Sequence, residues 1–307
     1  MIRRREFLTL PALAFAPAMK PKERVDAVLA GRKPDRHPFT FWHHFGLQNK
    51  PPVQHARATL DFQRQFRLDL VKVMSDFPYP KGNGKAWYEL KPVDNPYPAQ
   101  IEALGIIRDG LAGSKYFVET IFNPWNVAEK LSSPEQVKKL QQDNPQALLN
   151  ALEAIAKSEA AHAKKSLATG AAGIFLAIAN AQEGLMTKAE YQKFSEPFDR
   201  MVLEAASGAA MNTLHLHGDK VWIEHFTKGW PASVINWDTV GTGVSVAKVR
   251  QQYGGVVMCG VDHRTMKSFI PETAPAAGTK WIAAPGCSVP DDSKDADLLR
   301  LSAALSG

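Results

Sequence analysis

His215-Leu216-His217 is the sharpest chemical feature of the sequence. In an extended strand, residues i and i+2 point the same way, so these two imidazoles can grip one cation from one side. Cys287 ends a second short apolar stretch, Ala284-Pro285-Gly286-Cys287. Two histidines and one cysteine make three protein ligands with a fourth position open, the pattern of catalytic zinc. The same spacing also occurs where one imidazole is a hydrogen-bonded core residue, so both readings stand at this level. Cys259, in Val257-Met258-Cys259-Gly260, reads as a small core residue. A Cys259–Cys287 disulfide is its alternative in an oxidising compartment. Two cysteines in all exclude a disulfide scaffold and a four-cysteine zinc module.

Ligands so far apart in sequence need a rigid frame. Short apolar runs alternate here with helical stretches. Strands are expected near residues 40, 71, 118, 175, 214, 235, 258 and 282, the first over Phe39–Phe45. Helices are expected over Glu23–Ala30, Asp61–Leu68, Gln100–Leu111, residues 145–168, Val221–Thr227, Val244–Tyr253, Arg264–Phe269 and Ala296–Leu305. Capping boxes at Ser133–Gln136, with Pro134 in the first turn, and at Thr187–Glu190 mark two further helix starts, the second helix running to about Ser207. Residues 77–98, rich in Pro, Gly and Tyr, read as a long ordered loop. Eight parallel βα units predict an α/β fold of the (β/α)8 TIM-barrel kind, in a single domain over residues 19–307. A doubly wound open sheet is the alternative, although no G-x-G-x-x-G follows a strand.

Barrel sites lie at the C-terminal ends of the strands. The polar residues expected there are His43 and His44, Asp76, Asn123, Asn180, Gln182, Glu183, Asp238, Asp262 and His263, beside the His215, His217 and Cys287 set. Of His43 and His44 only one can face inward, because neighbours in a strand face opposite sides. Asp76, His44 and Asp238 are taken as the candidate catalytic groups, and Asn123, Gln182 and Asp262 as the candidate substrate contacts. Asp238 and Asp262 could equally cap helices.

The chain of 307 residues, 45% hydrophobic and 22% charged, has ample apolar content for one large core, which excludes a disordered or collagen-like protein. No apolar run reaches the roughly 20 residues of a membrane helix. Of the net charge of +6, Arg3, Arg4 and Arg5 against Glu6 supply +2, and the rest is diffuse. No Lys/Arg block is interleaved with aromatics, so nothing points to nucleic acid. The opening MIRRREFLTLPALAFAPAMK has paired arginines, a short apolar stretch and small residues like those of a signal-peptidase site. It reads as a twin-arginine export signal over residues 1–18, which implies a periplasmic protein that folds before crossing. If that signal does not function, the chain is cytoplasmic.

Several stretches together resemble the uroporphyrinogen decarboxylase family, which includes cobalamin-dependent methyltransferases. They are Glu23-Arg24-Val25, Leu29–Arg36, Asp69–Asp76, Asn123–Ala128, Thr187–Pro197, His215–Gly218, Asn236-Trp237-Asp238, Gly260-Val261-Asp262 and Ala284–Cys287. The resemblance covers nearly the whole chain after the signal and implies a distorted (β/α)8 barrel. Its methyltransferase branch implies a zinc held by His215, His217 in place of a cysteine, and Cys287. That zinc would bind a small thiol, which accepts a methyl group from a corrinoid carried by a partner protein. With a histidine replacing a cysteine the metal is less electron-rich, and water activation, as in a metal-dependent hydrolase, is a further option. The decarboxylase branch uses no metal. It implies a central role for Asp76 in Met74-Ser75-Asp76, but its arginine motif is replaced here by Trp42-His43-His44-Phe45-Gly46. A substrate with eight carboxylates needs such cations. A non-catalytic solute-binding domain that keeps the pocket is the remaining reading.

Overall fold

The computed structural model describes residues 18–82, 84 and 86–306. The expected export signal, save Ala18, lies outside the described residues. Seven strands form one parallel sheet in sequence order: β1 (Leu70–Val73), β2 (Tyr116–Phe122), β3 (Ile174–Ile178), β4 (Thr213–Leu216), β5 (Val234–Trp237), β6 (Val256–Val261) and β7 (Trp281–Pro285). Parallel neighbours need a crossover at every step, and helices supply it. Among the described residues, no helix is long and apolar enough to cross a membrane.

The sheet has seven strands and not the expected eight. Around residue 40 only one parallel bridge forms, Phe39 to Ala283 of β7. On the other side, the Asp69 amide donates to Phe39 O at 3.0 Å, just before β1. A ladder fails there because the Phe39 amide is taken by the Asp69 carboxylate at 3.1 Å. That carboxylate is fully buried and also accepts from Arg24 and Arg36. An ion-pair cluster thus occupies the seam where the eighth strand was expected.

The helix expected over Arg264–Phe269 is also absent. The Asp262 carboxylate accepts from the Arg264 amide at 3.0 Å and from Thr265 Oγ1 at 2.7 Å, which turns the chain back onto β6. Val261 then bridges Ser268, and the helix starts later, over Ile270–Ala277. The helix expected to run from Thr187 to about Ser207 is two: α7 (Lys188–Phe194) and α8 (Glu196–Ala205). Pro197, in the first turn of α8, has no amide hydrogen to continue α7.

Other local signals act at the helix starts. Pro124 and Pro145 open α4 (Pro124–Leu131) and α6 (Pro145–Thr169), where a missing amide hydrogen costs nothing. At α7 both halves of the Thr187/Glu190 capping box form; at Ser133 only the serine half does.

Strand alternation sorts the core into two layers. Leu214, Leu216, Ile235, Trp237 and Val257 face outward and pack under the helices. Leu70, Met74, Val118, Phe175, Met258 and Ala284 face inward. By the same period of two, His215, Asn236 and Lys72 fall on the inward face.

Candidate metal centre

His215 lies in β4 and His217 follows its end. The His215 ring stacks on Phe175 at 5.0 Å, and its Nδ1 lies 2.6 Å from Asn236 Oδ1. Asn236 Nδ2 donates to Met258 O at 2.7 Å and to Pro285 O at 3.0 Å. With both amide hydrogens spent on carbonyls, Oδ1 must be the group that faces His215. His215 therefore carries its proton on Nδ1 and keeps Nε2 as the free lone pair. Asn236 is itself fully buried, so this orientation is fixed by the core.

Cys287 arrives from the end of β7. Its Sγ lies 3.3 Å from His217 Nδ1. A glycine brings it there: a Cβ on Gly286 would fall 2.3 Å from Asp238 Cα, so no larger residue lets these strand ends approach. Gly218, at φ +110°, plays the same part after His217, where a Cβ would strike the Gln182 side chain.

The ligand atoms of His215, His217 and Cys287 all lie within 4.8 Å of one another. Bond lengths of about 2.0–2.3 Å put the ligands of tetrahedral zinc roughly 3.3–3.5 Å apart, so rotations that close about 1 Å complete the set. The residues fit zinc. Burial pushes the Cys287 thiol up, but the imidazoles of His215 and His217 beside it outweigh this and bring it down to about 4. His217 is raised by the same contact, whereas burial lowers His215. The cluster thus presents a thiolate and a neutral, oriented imidazole, the forms a cation binds.

The cluster stands between two cavities. An inner one of about 390 Å³ is lined by Trp42, Lys72, Thr120 and Phe122 as well as by the cluster. An outer one of about 570 Å³ is lined by Gln182, Asp238, His263 and Arg264 on the far side of His217 and Cys287. A side cavity of about 500 Å³ shares His44, Phe122 and Lys130 with the inner one and reaches Asp76.

The other expected site residues divide. His44 and Asp76 come together, with His44 Nδ1 2.8 Å from Asp76 Oδ1. His43 turns away and packs on Phe45 and Phe62, so one histidine of the pair faces in. Gln182 reaches the outer cavity while donating to Ala179 O and His217 O. Asp238 borders the same cavity, but its oxygens accept from the Val240 amide and from Arg264. Asp262 makes the turn described above. Asn123 is fully buried: it caps α4 and donates to Asn180, 2.8 Å away. The structure does not bring Asn123 or Asp262 to the cluster. Cys259 is a buried free thiol in β6 on the outward face, so it neither binds with Cys287 nor bridges to it.

Three residues of the site went unnoticed in the sequence: Asn236, Lys72 and Lys130. For the first two the signal was there to see, a polar side chain at an inward position of an otherwise apolar strand. Lys130, late in α4, carries no such mark.

A family model described as uroporphyrinogen decarboxylase (URO-D) matches residues 76–305. No curated protein matches the sequence significantly. Among solved structures, a methyltransferase from Methanosarcina mazei is similar at TM-score 0.73 and 18% identity, over 94% of this chain and 98% of that one. A putative vitamin-B12 independent methionine synthase from Listeria monocytogenes is similar at 0.59 and 12%, over 88% and 97%. A B12-independent methionine synthase from Shewanella sp. W3-18-1 is similar at 0.59 and 14%, over 89% and 93%. At these identities the likeness is one of fold.

Proposed function

Because the chain belongs to the uroporphyrinogen decarboxylase family, we propose that it is a zinc-dependent enzyme that transfers a methyl or other alkyl group to a small thiol or similar substrate. The observation that carries this reading is the Asn236 amide, clamped by two carbonyls so that His215 offers Nε2. A Cys–His nucleophile pair can use such an orienting residue too; what it would not need is the second imidazole, His217, on the same sulfur. Zinc held by His215, His217 and Cys287 would stabilise a substrate thiolate in the open fourth position, ready to accept an alkyl group.

The remaining steps belong to the chain's own groups. Burial pushes the Asp76 carboxyl up, but the hydrogen bond from His44 and its charge outweigh this and keep it below its ordinary range. Asp76 accepts from His44 Nδ1, which fixes that ring at the rim of the inner cavity. Trp42, Phe122 and Met74 give that cavity apolar walls. The family resemblance supplies the donor, a corrinoid on a partner protein. Export through residues 1–18 is part of the same reading: Arg4→Lys with Arg5→Lys would hold the protein in the cytoplasm.

Uroporphyrinogen decarboxylation is the second reading, favoured by the place of Asp76 in the side cavity. Among the described residues no arginine lines that cavity or the inner one. Cobalt(II)-loaded protein tests the first reading. Addition of a small thiol should add sulfur-to-cobalt charge-transfer absorption and shift the d–d bands. An unchanged spectrum at saturating thiol would count against thiol alkylation, and coproporphyrinogen formed from uroporphyrinogen would establish the second reading.

A further inference from the structure

At the opposite end of the sheet from the metal centre, where the strands start, lies a recess of about 450 Å³. Its floor is made by three buried residues: Asp69 just before β1, Arg24 of α1 (Pro21–Leu29) and Gln63 near the end of α2 (Pro52–Gln65). Arg36 and Lys115, the latter just before β2, form its walls, and Arg64 and Arg67 stand exposed at the rim. Five cations thus line a recess that holds one carboxylate.

That carboxylate is already engaged. Each Asp69 oxygen accepts two bonds, from Arg24 and Arg36 on one side and from Arg36 and the Phe39 amide on the other. Two further carboxylates serve single arginines from outside: Asp35 accepts from Arg24 at 2.7 and 2.9 Å, and Asp61 from Arg64 at 2.9 Å. The two charges left over fall on Lys115 and Arg67. Lys115 donates to Gln63 Oε1 at 2.7 Å, and among the described residues no carboxylate lies within 4.0 Å of it or of Arg67. Gln63 takes that bond on its oxygen, so its free end is a further donor. Burial holds the Lys115 ammonium below its ordinary range; Asp69 opposes this, and the charges of Arg36 and Arg64 add to it.

Cations at this end of a barrel can simply answer the carbonyls of helix C-termini. Here the last turn of α2 is already bonded: Phe62, Gln63 and Arg64 O accept from the amides of Phe66, Leu68 and Arg67. The same turn holds Arg67 at φ +55°, a left-handed conformation that glycine would adopt without strain.

We propose that this recess is a second binding site, which takes the dianionic phosphate of a small phosphomonoester on Lys115 and Arg67, with Arg36 and Gln63 behind them. Two unanswered positive charges match a dianion, and guanidinium and ammonium donors suit its oxygens. The volume leaves room for the organic part of the ester beside Pro21 and Leu111. Donors set in the floor and walls of a recess reach a soluble ester better than a headgroup held in the plane of a bilayer. The site goes beyond the reaction proposed above and does not depend on it.

Calorimetric titration of the full chain with phenyl phosphate and with benzenesulfonate, at one ionic strength, tests the site. The two probes share a ring and differ in charge. Phenyl phosphate should bind saturably, at one site per chain, and about tenfold more tightly than the monoanion. Lys115→Met should weaken it by about tenfold, the size of one charge-assisted hydrogen bond. Arg67→Gly should weaken it severalfold; that variant relieves the positive φ, so its loss of binding is not a loss of folding. A chelator that removes zinc should leave the affinity unchanged, because the recess and the metal centre lie at opposite ends of the sheet. Absence of saturable binding, equal affinity for the two anions, or the parent affinity in Lys115→Met would overturn the proposal. So would binding that disappears with the chelator. Cosedimentation with phosphatidate vesicles, without binding of phenyl phosphate, would overturn it in favour of a lipid surface.

Discussion

Two clusters of similar residues end in opposite states. Asn123, Asn180, Ser195, Tyr191 and Asp199 form one. Asn123 Nδ2 donates to Asn180, Tyr191 donates to Asp199 at 2.7 Å, and Ser195 joins both sides. All five residues are buried and their groups satisfy one another. Burial pushes the Asp199 carboxyl up to about 7, although Tyr191, Asn123 and Ser195 donate to it. His215, His217, Cys287 and Lys72 form the other. There His215, the Cys287 thiolate and the Lys72 ammonium line a cavity, with only His217 beside the sulfur and a weak thioether acceptor for the ammonium. Closed networks rigidify a fold, whereas groups oriented by the core and left open mark a site. Asn123 and Asn236 show the contrast in one residue type: the first caps a helix, the second aims a ligand.

Five substitutions sharpen that comparison. Cys287→Ser should lower zinc affinity by more than about 100-fold, beyond the usual effect of an outer partner. Competition with a chromogenic chelator reads it, and Cys259→Ser should match the parent protein. Asn236→Ala frees His215 to rotate and to change tautomer, and should cost zinc affinity about 10–100-fold in the same assay. An unchanged affinity there would mean that the carbonyl clamp does not serve the metal.

Lys72→Met should stabilise the protein by about 2 kcal/mol at pH 7, because it removes a buried ammonium. The pH dependence has a definite sign. Lys72 falls from its ordinary 10.5 to about 7 on folding, so in that range the unfolded chain holds the extra proton. Its cost is complete below pH 7 and fades as pH rises toward 10.5. The gain in the urea midpoint should therefore be largest at pH 7 and below and should shrink by pH 10. Cys287, Asp76 and Glu119 hold the proton on Lys72, and Lys130 opposes it, so the window reports this whole set. The smallest effect is expected in the closed cluster. Asn123→Ala should cost about 1–2 kcal/mol of stability through the lost cap and bonds, and leave zinc affinity unchanged.

The sequence revealed the βα alternation, the residues 214–217 strand end and the Cys287 turn, because period and spacing carry them directly. It also revealed the capping box at Thr187. It could not show that the Asp69 carboxylate would take the Phe39 amide and interrupt the expected first strand, since that depends on Arg24 and Arg36 arriving from other segments. Nor could it show that Asp262 would turn the chain back where a helix was expected. Asn123 looked like a substrate contact because it follows a strand; its partners Asn180 and Asp199 lie 57 and 76 residues away. Lys72 was visible as a charge inside an apolar strand, yet that no described carboxylate comes within 4.0 Å of it appears only once the fold is assembled.

Zinc analysis of the folded protein addresses the metal centre most directly. Protein equilibrated with zinc and then freed of unbound metal should hold one zinc per chain, and the Cys287→Ser protein, treated alike, should hold far less. A parent protein that retains no zinc, or a Cys287→Ser protein that retains a full equivalent, would contradict a centre built from His215, His217 and Cys287.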